Sequence, residues 1–180
     1  MKIVAIVGSI SKDSNNKKLV EFMKERYKEK LEIEILTIEK LPMYNQDIEL
    51  DSPNVVKELR EQIKKSDGIL FATPEYNHSI PGVLKNALDW FSRVERVMAN
   101  KPSMIVGASM GNLGTVKAQI HLRQILNSGG VATINLPGNE VFIGSIQDKL
   151  DENGKLIDEM TIKYLDEVVG NFIDWVEKIK

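Results

Sequence analysis

The chain has 180 residues, of which 42% are hydrophobic, and its formal net charge is −2, from 24 Lys and Arg against 26 Asp and Glu. This length suits a single domain with its own core, and the composition excludes a disordered tail, a collagen-like fibre and a small disulfide scaffold. The near-neutral charge argues against a nucleic-acid partner, because proteins that track a phosphate backbone carry a basic excess.

Cysteine is absent, which excludes disulfides, thiolate metal sites and cysteine nucleophiles and is typical of a reducing compartment. A short apolar run, residues 3–7, precedes Gly8, whereas a secretory signal needs about 7–15 apolar residues. The sequence has no run of about 18 apolar residues that could span a membrane. We therefore expect a cytoplasmic protein without a membrane partner.

Short apolar runs alternate with helical patterns along the chain. The second predicted strand alternates apolar and polar residues, which indicates a half-buried strand near a sheet edge. The predicted strands occupy residues 3–7, 33–38, 68–72, 104–108 and 131–134, with residues 141–143 as a candidate continuation of the fifth strand. Apolar stripes at helical spacing predict helices over residues 19–27, 55–63, 83–91, 116–126 and 162–179, the fourth ending at Gly129 and Gly130.

These five β/α repeats predict one doubly wound α/β domain over residues 1–180, with helices on both faces of an open parallel sheet and right-handed crossovers. Residues 148–154 (DKLDENG) superficially resemble a calcium loop. However, Lys149 and Met160 would occupy two ligand positions, and neither can bind calcium as that loop requires. We interpret this segment as a polar surface turn and predict no metal site.

Ligands of open α/β sheets bind beyond the carboxyl ends of the strands, which draws attention to the loops after predicted strands one, three and four. The first loop, residues 8–16, contains neither a Walker A nor a dinucleotide-binding glycine pattern. It is rich in hydroxyl and amide side chains before a helix N-terminus, where free N–H groups and the helix dipole favour an anion. Phosphate binding and simple helix capping by Ser14 or Asn15 are equally good interpretations, and one residue can do both.

The second loop, residues 74–82, is fixed by two prolines and a glycine at a strand end, where a rigid loop could lie along a flat ring. Its His78 is favoured as a polar contact over an acid–base catalyst, since no nucleophile with an orienting acid accompanies it. His121 lies in a predicted helix beside core positions and is interpreted as structural. In the third loop, residues 109–115, two glycines permit a ligand to approach the backbone closely.

Three motifs together resemble the NADPH-dependent FMN reductases, which include quinone, azo-dye and chromate reductases. The motifs are GSxxxxSxN from Gly8, PEYNxSxPGxLKNAxDW from Pro74 and SxGxxG from Ser109. The likeness runs through essentially the whole chain, and the middle motif is its most specific part.

The resemblance implies a flavodoxin-like three-layer α/β/α fold with a five-stranded parallel sheet in the order 2-1-3-4-5, in which strands one, three and four are neighbours. It also implies that three sets of residues surround FMN: Ser9, Ser14 and Asn16 at the phosphate, Pro74, Glu75, Tyr76 and Asn77 along the isoalloxazine ring, and Ser109, Gly111 and Gly114 at its other edge. The predicted cofactor site is completed by the adjacent Ser11, Asn15 and Met110.

Two residues depart from the family pattern. Ser11 stands where the family usually has an arginine, and the loss of that charge-assisted hydrogen bond is expected to weaken FMN binding roughly ten- to a hundredfold. Lys12 could replace the arginine only as a point charge, without its planar fork. Thr115 stands where a glycine commonly follows Gly114, and we expect it to narrow access to the flavin.

The resemblance further implies an enzyme in which FMN takes electrons from NADPH or NADH and passes them to a small-molecule acceptor such as a quinone, an azo dye or free flavin. Ping-pong kinetics are then expected, and no catalytic side chain is assigned. The alternative is an FMN-binding electron carrier without nicotinamide activity, although carriers of that kind are strongly acidic. A phosphoacceptor receiver domain would need an acidic pair after the first strand, where this chain has Gly8 and Ser9.

The resemblance also implies a homodimer or homotetramer, with residues 74–90 near the interface and residues 41–47 bordering the partner's flavin site. Five β/α units account for the full length, so we expect a second subunit to complete the substrate site. Lys85 and Asp89, four residues apart on one predicted helix, are interpreted as a weak surface salt bridge.

Overall fold

The computed structural model describes residues 1–179, and its strands form one parallel sheet. The strands are β1 (Lys2–Val7), β2 (Glu32–Ile35), β3 (Gly68–Ala72), β4 (Pro102–Ala108), β5 (Ile134–Asn135) and β6 (Val141–Ile143). They lie in the order β2-β1-β3-β4-β5, and β6 also pairs with β4. The predicted flavodoxin-like order is therefore confirmed, with a sixth short strand as an addition.

Helices cover both faces of this sheet. They are α1 (Asn15–Arg26), α2 (Asn54–Lys64), α3 (Gly82–Ser92), α4 (Val116–Leu126) and α5 (Glu159–Ile179). One core lies between the sheet and helices α1 and α5, and a second lies between the sheet and helices α2, α3 and α4. Because both faces are covered, β3 and β4 are buried along their whole length, which explains their apolar sequences.

The second strand is shorter than predicted, and the fourth helix stops earlier than the glycines that were expected to end it. Ile38 lies beyond β2 in a 3-10 turn, where it is buried in the core. Its apolar side chain is therefore explained by packing and not by membership of the strand. Helix α4 ends at Leu126, before the two glycines expected to stop it, and Asn127 caps its last turn through backbone hydrogen bonds.

The predicted fifth strand consists of two separate strands. β5 pairs with the beginning of β4, and β6 pairs with its end. A turn at Pro137 and Gly138 separates them, since proline has no N–H to donate and Gly138 has a φ of 67°. Residues 131–133 precede β5 and are not part of it.

The segment 148–154 forms a polar turn around Asp151, as predicted. The carboxylate of Asp151 accepts hydrogen bonds from the N–H groups of Asn153 (2.9 Å) and Lys155 (2.8 Å), so it stabilises the turn itself. Within residues 1–179, no group of three or more His, Asp or Glu side chains could hold a metal ion. In the same part of the chain, no helix combines the length and the apolar character needed to cross a membrane.

The segment 41–50, between β2 and α2, is fastened to α3. The carbonyl oxygen of Pro42 accepts hydrogen bonds from Asn86 Nδ2 (2.9 Å) and Trp90 Nε1 (2.8 Å), and Asn86 Oδ1 accepts one from the Tyr44 N–H (2.7 Å). The Tyr44 ring packs edge-on against Trp90, with the ring centroids 5.2 Å apart. Asn86 and Trp90, two residues of the most specific motif, therefore hold this segment in place.

Glu49 fastens the far end of the same segment through a charged cluster. Its carboxylate accepts hydrogen bonds from Arg93 Nε (2.8 Å) and Nη2 (3.1 Å) and from the Tyr44 hydroxyl. These bonds, those from Arg93 foremost, lower the pKa of Glu49 from 4.5 to about 2. Since the folded state favours the charged carboxylate, the cluster stabilises the fold above pH 4.5, and the stabilisation is lost as the pH falls through 2.

Replacing Glu49 by glutamine should make the free energy of unfolding depend less steeply on pH at acidic pH. The wild-type protein is expected to lose stability between pH 4.5 and pH 2 as this carboxylate is protonated, whereas Glu49→Gln lacks that loss and is less stable at pH 7. Urea unfolding of both proteins at intervals between about pH 7 and pH 2 measures the difference. Glu58→Gln, at an exposed position of α2, is the control. An equal flattening in the control would contradict the role of the cluster.

Candidate functional site

The loops after β1, β3 and β4 meet at one edge of the sheet, because these strands are parallel neighbours. The pairing continues one residue beyond the strands. The Gly8 N–H donates to the Ala72 carbonyl (2.8 Å), and the Thr73 N–H donates to the Val106 carbonyl (3.1 Å). We refer to the surface formed by residues 8–16, 73–82 and 109–115 as the three-loop edge. Every residue of the predicted cofactor site lies in it.

The first loop ends in a capped helix. Ser14 is the N-cap of α1, and its Oγ accepts a hydrogen bond from the Lys17 N–H (3.2 Å). The first turn of α1 contains no acidic residue, so the positive end of its dipole is not neutralised from within the helix. Earlier in the loop, the Ser11 N–H donates to Ser9 Oγ (3.3 Å), and Ser11 is exposed. The capping interpretation is confirmed for Ser14, while Asn15 is the first residue of the helix.

Asn16 joins the first loop to the third. Its Nδ2 donates to the Ala108 carbonyl and its Oδ1 accepts from the Ala108 N–H, both at 3.0 Å. Both residues are buried. The amide of Asn16 takes the place of a strand partner on the side where β3 has already ended, and it fixes the start of α1 against the end of β4.

The second loop contains a tight hairpin turn. Tyr76 and Ser79 exchange two backbone hydrogen bonds of 3.0 Å each, and the residues between them, Asn77 and His78, have φ values of 51° and 64°. Positive φ at both central positions is the geometry of a type I′ turn, which asparagine tolerates better than most residues. The turn leaves Tyr76 and Asn77 exposed at the three-loop edge.

Glu75 fastens the second loop to α4. Its Oε2 accepts hydrogen bonds from the N–H groups of Lys117 (3.0 Å) and Ala118 (3.2 Å), in the first turn of that helix. Thr115, the N-cap residue, makes no side-chain cap of its own. The carboxylate of Glu75 therefore caps the helix from another loop, and the positive end of the α4 dipole is already occupied.

Both histidines strengthen this connection. Ser79 Oγ lies 2.8 Å from His121 Nδ1, and the Nζ of Lys117 lies 3.1 Å from His78 Nε2. His78 thus makes the polar contact that the sequence favoured. His121 lies in α4 next to the buried Leu122, as expected, and its exposed ring contacts the second loop.

The third loop packs against β6. The Ser109 N–H donates to the Ile143 carbonyl (2.9 Å), and Ser109 Oγ donates to the Gly111 carbonyl (2.8 Å). Gly114 has a φ of 56°, and a Cβ atom there would overlap the backbone of β6, so its contact with β6 requires a glycine. A Cβ at Gly111 would instead meet only Ser109 Oγ, at 4.0 Å. Gly111 and Met110 are therefore left at the open surface.

Thr115 faces inwards, and the expectation that it narrows access to the site is wrong. Only 2% of its surface is exposed, and its φ is 67°. A Cβ atom on Gly107 would overlap the hydroxyl oxygen of Thr115. This oxygen accepts a hydrogen bond from Gln119 Nε2 (3.1 Å). The lack of a side chain at Gly107 therefore makes room for Thr115.

Gln119 is a residue of this region that the sequence analysis did not single out. It is fully buried, and its Nε2 donates to the Val141 carbonyl (2.8 Å) and to the Gly114 carbonyl (3.4 Å). It thereby joins α4 to β6 and to the third loop. The available signal is a glutamine at a core-facing position of the α4 stripe, because a buried amide needs hydrogen-bond partners.

Known proteins match this chain along most of its length. The family model described as NADPH-dependent FMN reductase matches residues 1–148. The NADH-dependent flavin reductase subunit 2 of Lactobacillus johnsonii is 42% identical over 183 residues, covering 99% of this chain and 98% of the relative. A quinone reductase of Escherichia coli K12 is 36% identical over 185 residues, covering 100% of this chain and 97% of the relative.

A solved structure has the same fold. FerB, a flavoenzyme NAD(P)H:(acceptor) oxidoreductase from Paracoccus denitrificans, superimposes with a TM-score of 0.90 at 37% sequence identity, covering 98% of this chain and 97% of that chain. These similarities confirm the resemblance carried by the three motifs, and they give no support to the electron-carrier alternative. The chain belongs to the NADPH-dependent FMN reductase family.

Proposed function

We propose that this protein is an FMN-dependent NAD(P)H oxidoreductase whose cofactor lies across the three-loop edge. The observation that carries the proposal is the difference among three helix ends at this edge. The N-terminus of α4 already holds the Glu75 carboxylate, and α3 follows Pro81, which offers no polar side chain, whereas α1 has no acid in its first turn and follows a serine-rich loop. The hydroxyl groups of that loop direct an anionic group to it.

The FMN phosphate fits the first loop. Ser9 and Ser11 present hydroxyl groups before the N-terminus of α1, and Ser14 and Asn15 stand at its start. Hydroxyl groups can donate to a phosphate while the helix supplies free N–H groups and a favourable dipole. Asn16 acts differently, since the end of β4 engages both ends of its amide. We assign Asn16 to positioning the loop.

The isoalloxazine ring fits between the second and third loops. Gly111 supports this placement, because a flat ring can approach its backbone where no side chain stands. Glu75 and Gly114 contribute by shaping the loops, since the carboxylate caps α4 and the glycine packs on β6. The residues expected along the ring are Pro74, Glu75, Tyr76 and Asn77 on one side and Ser109, Met110, Gly111 and Gly114 on the other.

The protein holds and orients the cofactor. When bound, FMN supplies the hydride and electron chemistry that the surrounding side chains cannot supply. The hairpin turn at residues 76–79 keeps one side of the site rigid through its two backbone hydrogen bonds and the contact of Ser79 with His121. Loop N–H groups directed at the polar edge of the ring would stabilise negative charge there. No catalytic side chain is assigned.

Small molecules are the proposed substrates of this site. The related proteins from L. johnsonii and E. coli are named as an NADH-dependent flavin reductase and a quinone reductase, and FerB is named as an NAD(P)H:(acceptor) oxidoreductase. We infer NADH or NADPH as the electron donor and a quinone or a flavin as the acceptor. Azo dyes stay a prediction from the family resemblance.

We further propose that two or four copies of the chain assemble. Met43 and Leu50 are 79% and 87% exposed although the segment that carries them is fastened to α3, and Tyr76 in the second loop is half exposed. Large apolar side chains left exposed on fastened segments suit contact with another subunit. The L. johnsonii relative is named as a subunit. The homodimer or homotetramer, like the cytoplasmic location, stays a prediction.

The purified protein should bind FMN and oxidise NADH or NADPH when a quinone is present. Absorbance and fluorescence titrations measure FMN binding. Initial rates with varied NADH at several fixed quinone concentrations distinguish ping-pong kinetics from a ternary complex. If donor and acceptor use the same open face in turn, the double-reciprocal lines are parallel, as in ping-pong kinetics. A protein that binds no FMN would contradict the proposed function, whereas intersecting lines would contradict only the shared face.

Introducing arginine at Ser11 should tighten FMN binding. Ser11 is exposed in the first loop, and a guanidinium there would add charge-assisted hydrogen bonds to the phosphate, which lowers the Kd roughly ten- to a hundredfold. Ser128→Arg, at an exposed position beyond the far end of α4, adds the same charge away from the loop. Isothermal titration of both variants with FMN is the measurement. An unchanged Kd in Ser11→Arg would place the phosphate elsewhere.

Removing the Asn16 amide should destabilise the fold and loosen the phosphate loop together. Asn16→Ala leaves the buried N–H and carbonyl groups of Ala108 without their partner, which lowers the free energy of unfolding by about 2–4 kcal/mol. Urea unfolding checks this value, and FMN titration checks the loop. Asn54→Ala, at the exposed start of α2, is the matched control and should cost little. A loss no larger than that of the control would refute the positioning role.

A further inference from the structure

A long groove lies beside the proposed phosphate site, along the exposed face of α1. One wall consists of residues 12–26, and the other consists of residues 153–155 in the turn before α5. Its volume is about 780 Å³, which is within the range of sites that enclose small molecules. We refer to it as the α1 groove. The fold and the proposed FMN site account for neither its size nor its charges.

The charges in the α1 groove change along its length. Lys17 and Lys18 lie near the N-terminus of α1, and Glu21 and Glu25 follow on the same side of the helix at intervals of about one turn. Phe22, between them in sequence, is partly buried against the core. The Arg26 guanidinium lies 6.0 Å from its ring centroid and pairs with Asp166. The groove is therefore cationic at the end next to the three-loop edge, and further along it carries carboxylates, an aromatic ring and the paired Arg26.

The opposite wall is shaped by a glycine. Gly154 has a φ of 77°, and a Cβ atom there would lie 3.2 Å from Lys18 Cε. Because Gly154 has no side chain, the aliphatic stem of Lys18 can pass under the turn. The Lys18 ammonium group stays at the end of the groove next to the three-loop edge, where it pairs with Asp13. Lys155 follows on the same wall and is exposed.

The groove continues directly from the phosphate loop. Ser14, the N-cap of α1, lines the groove and also stands at the proposed phosphate position, and Lys12 of the same loop lines it as well. A ligand whose phosphate sits at the start of α1 can therefore extend into the groove without crossing another element.

We propose that the α1 groove binds the AMP portion of flavin adenine dinucleotide, so that the three-loop edge accepts FAD as well as FMN. FAD is FMN extended through its phosphate by AMP, and that extension starts where the groove starts. The inference rests on the proposed function, because only a flavin phosphate at the first loop brings AMP to this place.

The order of groups in AMP matches the order of charges in the groove. Its phosphate would lie near Lys17 and Lys18, with Lys155 on the opposite wall, and these ammonium groups suit a phosphate. Its ribose hydroxyls would donate to Glu21 or Glu25, as carboxylates commonly accept from ribose in nucleotide sites. Its adenine would pack on Phe22. The same carboxylates would repel a 2′-phosphate on that ribose, so the pattern favours FAD over NADPH as the occupant.

Titration of the flavin-free protein with FMN and FAD tests the proposal, with the ratio of the two Kd values as the readout. FAD is expected to bind roughly tenfold more tightly than FMN, and free ADP should compete with FAD but not with riboflavin. Lys155→Glu and Phe22→Ala should each reduce the preference for FAD roughly threefold to tenfold while the Kd of FMN stays the same. Lys163→Glu, an exposed charge reversal on α5, is the matched control.

The outcomes separate this inference from the proposed function. If FMN binds and FAD binds no better, or if neither groove variant changes the ratio, the AMP site is refuted and the FMN site stands. If no flavin binds, the proposed function itself fails. The KM for NADH should be unchanged in Lys155→Glu, and a raised KM with an unchanged Kd for FAD would assign the groove to the nicotinamide dinucleotide and overturn our assignment.

Discussion

The adjacency of β1, β3 and β4 in a parallel sheet is the constraint on which the candidate site depends. It makes three loops that are distant in sequence start side by side, and it brings the N-termini of α1, α3 and α4 to the same edge. Each of these helix ends is positive and favours an anion. Glu75 satisfies α4, and α3 follows Pro81 without a side-chain cap, whereas the serine-rich loop before α1 offers hydroxyl groups to a phosphate.

Strand adjacency alone does not hold loops of this length in place. Three polar side chains also fasten them. Asn16 ties α1 to the end of β4, Glu75 ties the second loop to α4, and Gln119 ties α4 to β6. Each engages backbone groups that would otherwise lack partners, so each contributes stability as well as shape. Two of the three belong to the motifs that resemble flavin-binding residues. In this chain these two motif residues therefore brace the loops through protein contacts.

Apolar runs predicted the strands and helices, because such runs report burial directly, and the resemblance carried by the three motifs implied the strand order and the loops of the candidate site. The sequence did not predict which way the side chains face. Asn16 and Glu75 look like ligand-binding residues in sequence, and only the tertiary contacts show that they engage Ala108 and α4. The inward position of Thr115 depends on the empty space at Gly107, which lies on a different element. The interrupted fifth strand likewise depends on where the end of β4 offers a partner.

The capping of α4 by Glu75 has a consequence for motion. The N–H groups of Lys117 and Ala118 are protected only while the second loop stays in place, because the helix has no other side-chain cap. Any rearrangement of that loop must release these two amides to solvent. Amide hydrogen exchange in the first turn of α4 therefore measures how often the second loop opens. This helix contributes no residue to the proposed ring contacts.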